Sequence, residues 1–148
     1  MTARHTGVTL VLVFAVAVYS LLLGCEKKAP PPPPTISGTV DVAPELAGDV
    51  TPEYVLFVTV RAADAPPFGP PIAAHRMTNL TFPAQYTVTQ KDVFFEGVVL
   101  EGKVNVYAKL DKDGNAGPPE PGDLEGEYKG NPVMVGASGV DIVIDKVH

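Results

Sequence analysis

Val104-Asn105-Val106-Tyr107-Ala108-Lys109-Leu110 decides the fold. Val104, Val106, Ala108 and Leu110 fall on one side of an extended chain, and Asn105, Tyr107 and Lys109 fall on the other, with Lys103 and Asp111 continuing that second side. A period of two is the pattern of a β-strand with one face in a core. Turn formers bound the run: Gly102 before it, and Asp111-Lys112-Asp113-Gly114-Asn115 after it.

The same period recurs on both sides. Ile36, Gly38, Val40 and Val42 alternate with Ser37, Thr39 and Asp41, and Pro44 closes that strand. Tyr54 to Arg61 reads YVLFVTVR, with Val55 and Phe57 on one face and Leu56, Val58 and Val60 on the other. Apolar residues on both faces predict a strand in the middle of a sheet. Ala65 to Pro71 holds four prolines and is a loop. Ile72 to Met77 and Leu80 to Thr89 are further strands, the second confined to an edge or a bulge by Pro83. Val98 to Leu100 predicts a short strand, as do Asp123 to Lys129 and Val140 to Asp145. In the last of these Val140, Ile142 and Ile144 face inward. After the first 24 residues no segment has helical periodicity. About seven short strands between frequent turns predict an all-β, immunoglobulin-like or prealbumin-like β-sandwich over residues 36–148; a closed barrel is the competing architecture.

Residues 1–24 have a different character. Arg4 and His5 precede a nearly continuous apolar run from Val8 to Leu23, and no acidic residue occurs before Glu26. The run is shorter than the roughly 20 residues of a membrane-spanning helix and has the layout of a secretory signal peptide. Leu22-Leu23-Gly24-Cys25 resembles the lipobox of bacterial lipoproteins. That resemblance implies cleavage before Cys25, diacylglycerol on its thiol, and an acyl chain such as palmitate on the new amine. Two or three acyl chains, each CH₂ contributing ~0.8 kcal/mol, hold a domain on a membrane. The expected location is therefore the bacterial cell envelope, with the domain in the periplasm or at the cell surface. Residues 25–35 form the tether: five consecutive prolines, Pro30 to Pro34, favour an extended spacer rising ~3.1 Å per residue.

Cys25 is the sole cysteine, so the β domain has neither a disulfide nor a thiol nucleophile. A blue-copper centre, which needs a cysteine and two histidines, is excluded on the same ground. The formal net charge of −6 argues against nucleic-acid partners and suits cationic ones. The serines lack histidine and aspartate companions in any hydrolase motif, so an enzyme is not expected.

Two stretches are candidate sites. Asp111, Asp113 and Asn115 place oxygens at alternating positions, like the start of a calcium loop, and Asp123 follows where the chain returns. Ala116 and Gly122 stand where an EF-hand has glycine and glutamate, so the alternative is an ordinary hairpin turn. Calcium is the one cofactor that the sequence raises. Phe94 and Phe95 are the second candidate, as a contact for an unfolded client if one of them faces outward, the alternative being that both lie in the core.

An ordered set of segments resembles one bacterial domain. Ile36-Ser37-Gly38-Thr39-Val40, Ala43-Pro44-Glu45-Leu46 and Val55-Leu56-Phe57-Val58 open it. Gly114-Asn115-Ala116, Pro121-Gly122-Asp123-Leu124-Glu125-Gly126 and Gly139-Val140 to Val147 follow in the same order. The set is similar to the C-terminal periplasmic domain of the CycH-type c-type cytochrome biogenesis factor. The resemblance implies a β-sandwich and a part in presenting apocytochrome c to the haem-ligation proteins. The family's methionine-rich segment is replaced here by Gln90-Lys91-Asp92-Val93-Phe94-Phe95-Glu96. Two functional expectations stand: a lipid-anchored binding or accessory module, serving cytochrome c biogenesis, or a structural envelope lipoprotein with a calcium-stabilised domain and no client.

Overall fold

Two β-sheets pack face to face in the computed structural model, which describes residues 33–66 and 69–148. The expected signal peptide, Cys25 and most of the expected proline tether lie outside the described residues. The strands are β1 (Ile36–Val42), β2 (Val55–Ala62), β3 (Ala73–Met77), β4 (Ala84–Val88), β5 (Lys103–Asp111), β6 (Leu124–Glu127), β7 (Val133–Met134), β8 (Ile142–Ile144) and β9 (Lys146–Val147). The smaller sheet has the order β4-β1-β8, and the larger runs β3-β2-β5-β6-β9 with β7 also pairing β5. All pairs are antiparallel except β1 with β8.

The alternation in the sequence sets the inner faces. Val104, Val106, Ala108 and Leu110 of β5 are fully buried, as are Leu56, Val58 and Val60 of β2. They meet Ile36 and Val40 of β1 and Ile142 and Ile144 of β8 in one cluster. Burying each such aliphatic side chain contributes about 1.5–3 kcal/mol. The register Val58↔Ala108 and Val60↔Val106 stacks the inward residues of β2 and β5 side by side. β2 lies between β3 and β5, in keeping with its apolar residues on both faces.

Two glycines allow close main-chain approaches, Gly38 within the small sheet and Gly126 between the layers. A Cβ on Gly38 would stand 2.2 Å from the Val140 carbonyl oxygen, and one on Gly126 would stand 2.3 Å from that of Val143. Main chain therefore packs directly against main chain where β1 meets residue 140 and where β6 meets β8.

The structure differs from the sequence expectation at three places. Residues 98–100 form no strand. Instead the Gln90 side chain accepts from the Leu100 N–H (2.8 Å) and donates to the Val98 carbonyl (2.7 Å), as a neighbouring strand would. β7 and β9, of two residues each, are too short to show a period. Between β6 and β7, Asn131 takes a strand's part: its amide accepts from the Val106 N–H (2.9 Å) and donates to the Val106 carbonyl (3.0 Å).

Candidate functional site

The segment from Thr89 to Phe95 forms a rigid corner against β3. A short 3₁₀ turn, Gln90–Asp92, is closed by Thr89: its hydroxyl accepts from the Lys91 N–H, and Asp92 accepts from the Thr89 N–H at 2.7 Å. This reciprocal bonding satisfies main-chain donors that the turn would otherwise leave open. The other carboxylate oxygen of Asp92 meets His75 Nδ1 of β3 at 2.9 Å. Burial pushes the Asp92 carboxyl up, but the bonds from His75 and from the Thr89 main chain and hydroxyl outweigh this and hold it below the usual carboxylate value. Next, Val93 bridges Ala73, and the Phe94 N–H donates to the Ile72 carbonyl at 3.1 Å. With the main chain fixed, Phe94 and Phe95 are 55% and 51% exposed. Both rings face outward, where the sequence offered an outward or a core position for each.

Phe94 also lines a cleft on the outer face of the large sheet. Register explains its floor. On β2 the outward residues are Phe57, Thr59 and Arg61, and on β5 they are Lys109, Tyr107 and Asn105, paired in that order. The Arg61 guanidinium lies over the Tyr107 ring at 5.0 Å from its centre, and the Lys109 ammonium stands 5.9 Å from that of Phe57. Pro70 and Pro71 form one wall, and Pro118 and Pro119 form another. The enclosed volume is about 360 Å³. Prolines and aromatic rings give a stiff apolar trough that does not collapse when empty of a partner. In the sequence Tyr107 and Phe57 fall on outward positions of separate strands, and only the register brings them onto one floor. Two aromatic residues on outward positions of adjacent strands, with Pro-Pro in two flanking loops, were the available signal.

The acidic turn sits at one end of this cleft. Asp111 and Asp123 are buried together around Lys109, while Asp113 stays outside on the loop. The Lys109 ammonium is 2.6 Å from Asp111 and 3.7 Å from Asp123, and it donates to the Gly117 carbonyl at 2.9 Å. Asp113 accepts from the N–H and the side-chain amide of Asn115, and these bonds hold its carboxyl below the usual value. Asp123 accepts from the N–H groups of Lys112 and Glu120. Three of the four oxygen-bearing side chains considered for calcium are thus engaged in closing the hairpin or in binding an internal ammonium, and the fourth, Asn115, donates to Asp113. Among the described residues no cluster of three or more His, Cys, Asp or Glu stands ready to hold a metal. The positive charge at the centre of this turn comes from Lys109, which the sequence reading had placed among the strand's outward residues. The turn's effect is to carry Pro118 and Pro119 over β5 and so build a wall of the cleft.

Comparison with known proteins adds to this geometry. No curated protein matches the chain at a significant level. Among solved structures, the alternative pilotin from the type II secretion system of Vibrio cholerae is similar at 16% identity and a TM-score of 0.49, over 77% of this chain and 96% of that one. A likeness of that degree bears on neither the mechanism nor the partner. The family model described as the Ig-like domain of cytochrome c-type biogenesis protein H matches residues 36–145, which include both sheets from β1 through β8. With its two-sheet topology and this match over most of its length, the chain belongs to the family of the cytochrome c-type biogenesis protein H Ig-like domain.

Proposed function

We propose that this protein is a lipid-anchored accessory module of the bacterial envelope whose β domain binds polypeptide and assists c-type cytochrome biogenesis, with unfolded apocytochrome c as its client. It acts as a binding module, and its chemistry is contact rather than catalysis. One observation carries the reading: Phe94 and Phe95 are held outward on a hydrogen-bonded corner, and Phe94 lines an aromatic- and proline-lined cleft. Exposed rings on a rigid support bind apolar side chains at low entropic cost, because the support is already ordered. Family membership supplies the biological setting. Leu22 to Cys25 supports the anchor, and the chain of five prolines supports a spacer between membrane and domain.

The test is photocrosslinking in growing cells. A benzoylphenylalanine at position 94 should trap apocytochrome c, and one at position 143, on the exposed side of β8, should not. Equal yields at the two positions, or no apocytochrome at either, would refute the client. The anchor is tested separately. Cys25→Ala should lose incorporation of labelled palmitate and leave an unprocessed precursor; continued labelling would remove the lipoprotein reading.

A further inference from the structure

Among the described residues, the outer edge of β4 carries main-chain groups that no other strand uses. β1 is bonded on both of its sides, and its residues alternate between them. Toward the β8 side, Ser37 donates its N–H to the Ala137 carbonyl (3.1 Å) and accepts from the Val140 N–H (3.0 Å). The Thr39 N–H donates to Asp141 Oδ1 at 2.9 Å, and the Ala43 N–H donates to the Ile144 carbonyl at 2.9 Å. Ile36, Gly38 and Val40 therefore face β4, where their partners are Val88, Tyr86 and Ala84. In an antiparallel pair such residues exchange both of their main-chain bonds. The interleaved residues, Gln85 and Thr87, turn their N–H and C=O groups the opposite way. That side is where β4 ends the small sheet. Thr89 would be next in the series, but its N–H is taken by Asp92, and this closes the open run.

Sheet edges in soluble proteins are normally guarded by charge, proline, bulges or cover. The other margins here follow that rule. Val93 and Phe94 bond along β3, β9 has two residues of which one is Lys146, and the Asp145 N–H beyond β8 donates to the Glu125 carbonyl. β4 reads Ala-Gln-Tyr-Thr-Val, with no charge and no proline within it. Its exposed side chains, Gln85 and Thr87, are small to medium and neutral. Beside it lies a broad, shallow depression of about 650 Å³, lined by Gln85, Thr87, Ser37 and Thr39, with His75 and Asp141 also on its wall.

We propose that this edge is a strand-addition site for an extended segment of unfolded polypeptide. Two donors and two acceptors on Gln85 and Thr87, spaced two residues apart, complement another extended main chain and no small ligand. Because the recognition groups are main chain and the side chains of β4 itself are uncharged, the site takes segments of varied sequence, with Asp141 the one carboxylate lining the adjacent depression. The inference rests on the polypeptide-binding reading above and adds a second contact, which grips backbone while Phe94 and Phe95 grip side chains.

The experiment uses the full chain in lipid nanodiscs, with reduced and carboxymethylated α-lactalbumin as the unfolded probe. Amide exchange at Gln85 and Thr87 should slow when the probe is added, and this needs no altered protein. Thr87→Pro should bind the probe about tenfold more weakly, having lost one donor and gained a ring on the approach side. An edge strand tolerates proline where the N–H faces outward, so its circular dichroism and melting should stay close to the parent's. Binding with protection only around Phe94 and Phe95, or undiminished binding by a folded Thr87→Pro, would overturn the edge site and leave the polypeptide-binding reading intact. No binding by the unaltered chain would overturn both. Protection of Gln85 and Thr87 that rises with protein concentration, without probe, would assign the edge to a second copy of this chain and overturn the proposal.

Discussion

The two faces of β5 are made by the same nine residues and have opposite origins. The inner face is Val104, Val106, Ala108 and Leu110, buried by aliphatic partners from the facing sheet. The outer face starts exposed at Lys103, is half-buried at Asn105 and Tyr107, and ends buried at Lys109 and Asp111. The Asp111–Asp123 loop folds back over its buried end and supplies carboxylates and carbonyls to the Lys109 ammonium. Inward burial is thus a property of the strand, whereas outward burial is a property of a loop that the strand's charges hold down. The cleft exists because the second kind of burial is incomplete, leaving Tyr107 half-exposed between proline walls above a buried Phe57.

Substitutions sharpen that contrast. The largest effect is expected on the inner face. Val106→Asp puts a carboxylate among aliphatic side chains and should remove at least about 4 kcal/mol of unfolding free energy. Asn105→Asp, its neighbour on the outer face, should stay within about 0.5 kcal/mol. Chemical denaturation of the two variants measures both, and equal losses would mean that the two faces do not differ as described. Lys109→Met comes next. It keeps an apolar stem but leaves Asp111 and Asp123 buried without their cation, at a cost of about 3 kcal/mol. The same denaturation experiment should also show the Pro118–Pro119 segment exposed to proteolysis before the core unfolds. Global unfolding without early cleavage would mean that the loop does not depend on the ammonium.

Gly126→Ala probes the contact between the layers. Its methyl group would stand 2.3 Å from the Val143 carbonyl oxygen, so β6 and β8 must separate, at about 2 kcal/mol. A melting temperature equal to the parent's would show that the layers have slack there. The smallest effect concerns calcium. Because Lys109 provides the positive charge within the acidic turn, millimolar calcium should leave the melting temperature unchanged. A rise of several degrees that is lost in Asp111→Asn would revive the calcium loop and with it the structural-lipoprotein reading.

Much of the fold was legible because burial by a facing sheet imposes a period of two on the strand itself. That is why Val104 to Leu110 and Ile36 to Val42 read correctly from residues alone. Pro83 likewise marked the next strand as an edge, and β4 is one. The parts that were not legible depend on side chains acting as main chain. Gln90 replaces a strand partner for residues 98 and 100, and Asn131 replaces one for Val106. A single amide leaves no periodic trace. The site was half legible. Phe94 and Phe95 stood out as apolar residues near a turn, but their outward setting depends on Asp92 bonding to Thr89 and His75, residues from two separate elements. The acidic turn looked like a cation site for a sound reason, since oxygens do converge there. What the sequence order concealed is that Lys109, two residues before Asp111, reaches back into the same loop.

The central claim is that the aromatic corner and cleft bind polypeptide, and a titration followed residue by residue tests it most directly. Amide and aromatic NMR signals of the protein in nanodiscs should be recorded while an unfolded apocytochrome c peptide is added. The account predicts saturable shifts at Phe94, Phe95, Phe57 and Tyr107, with Phe94→Ser/Phe95→Ser weakening the affinity about tenfold or more. Unchanged signals at these four residues at millimolar peptide, or saturable shifts confined to the opposite sheet, would contradict it.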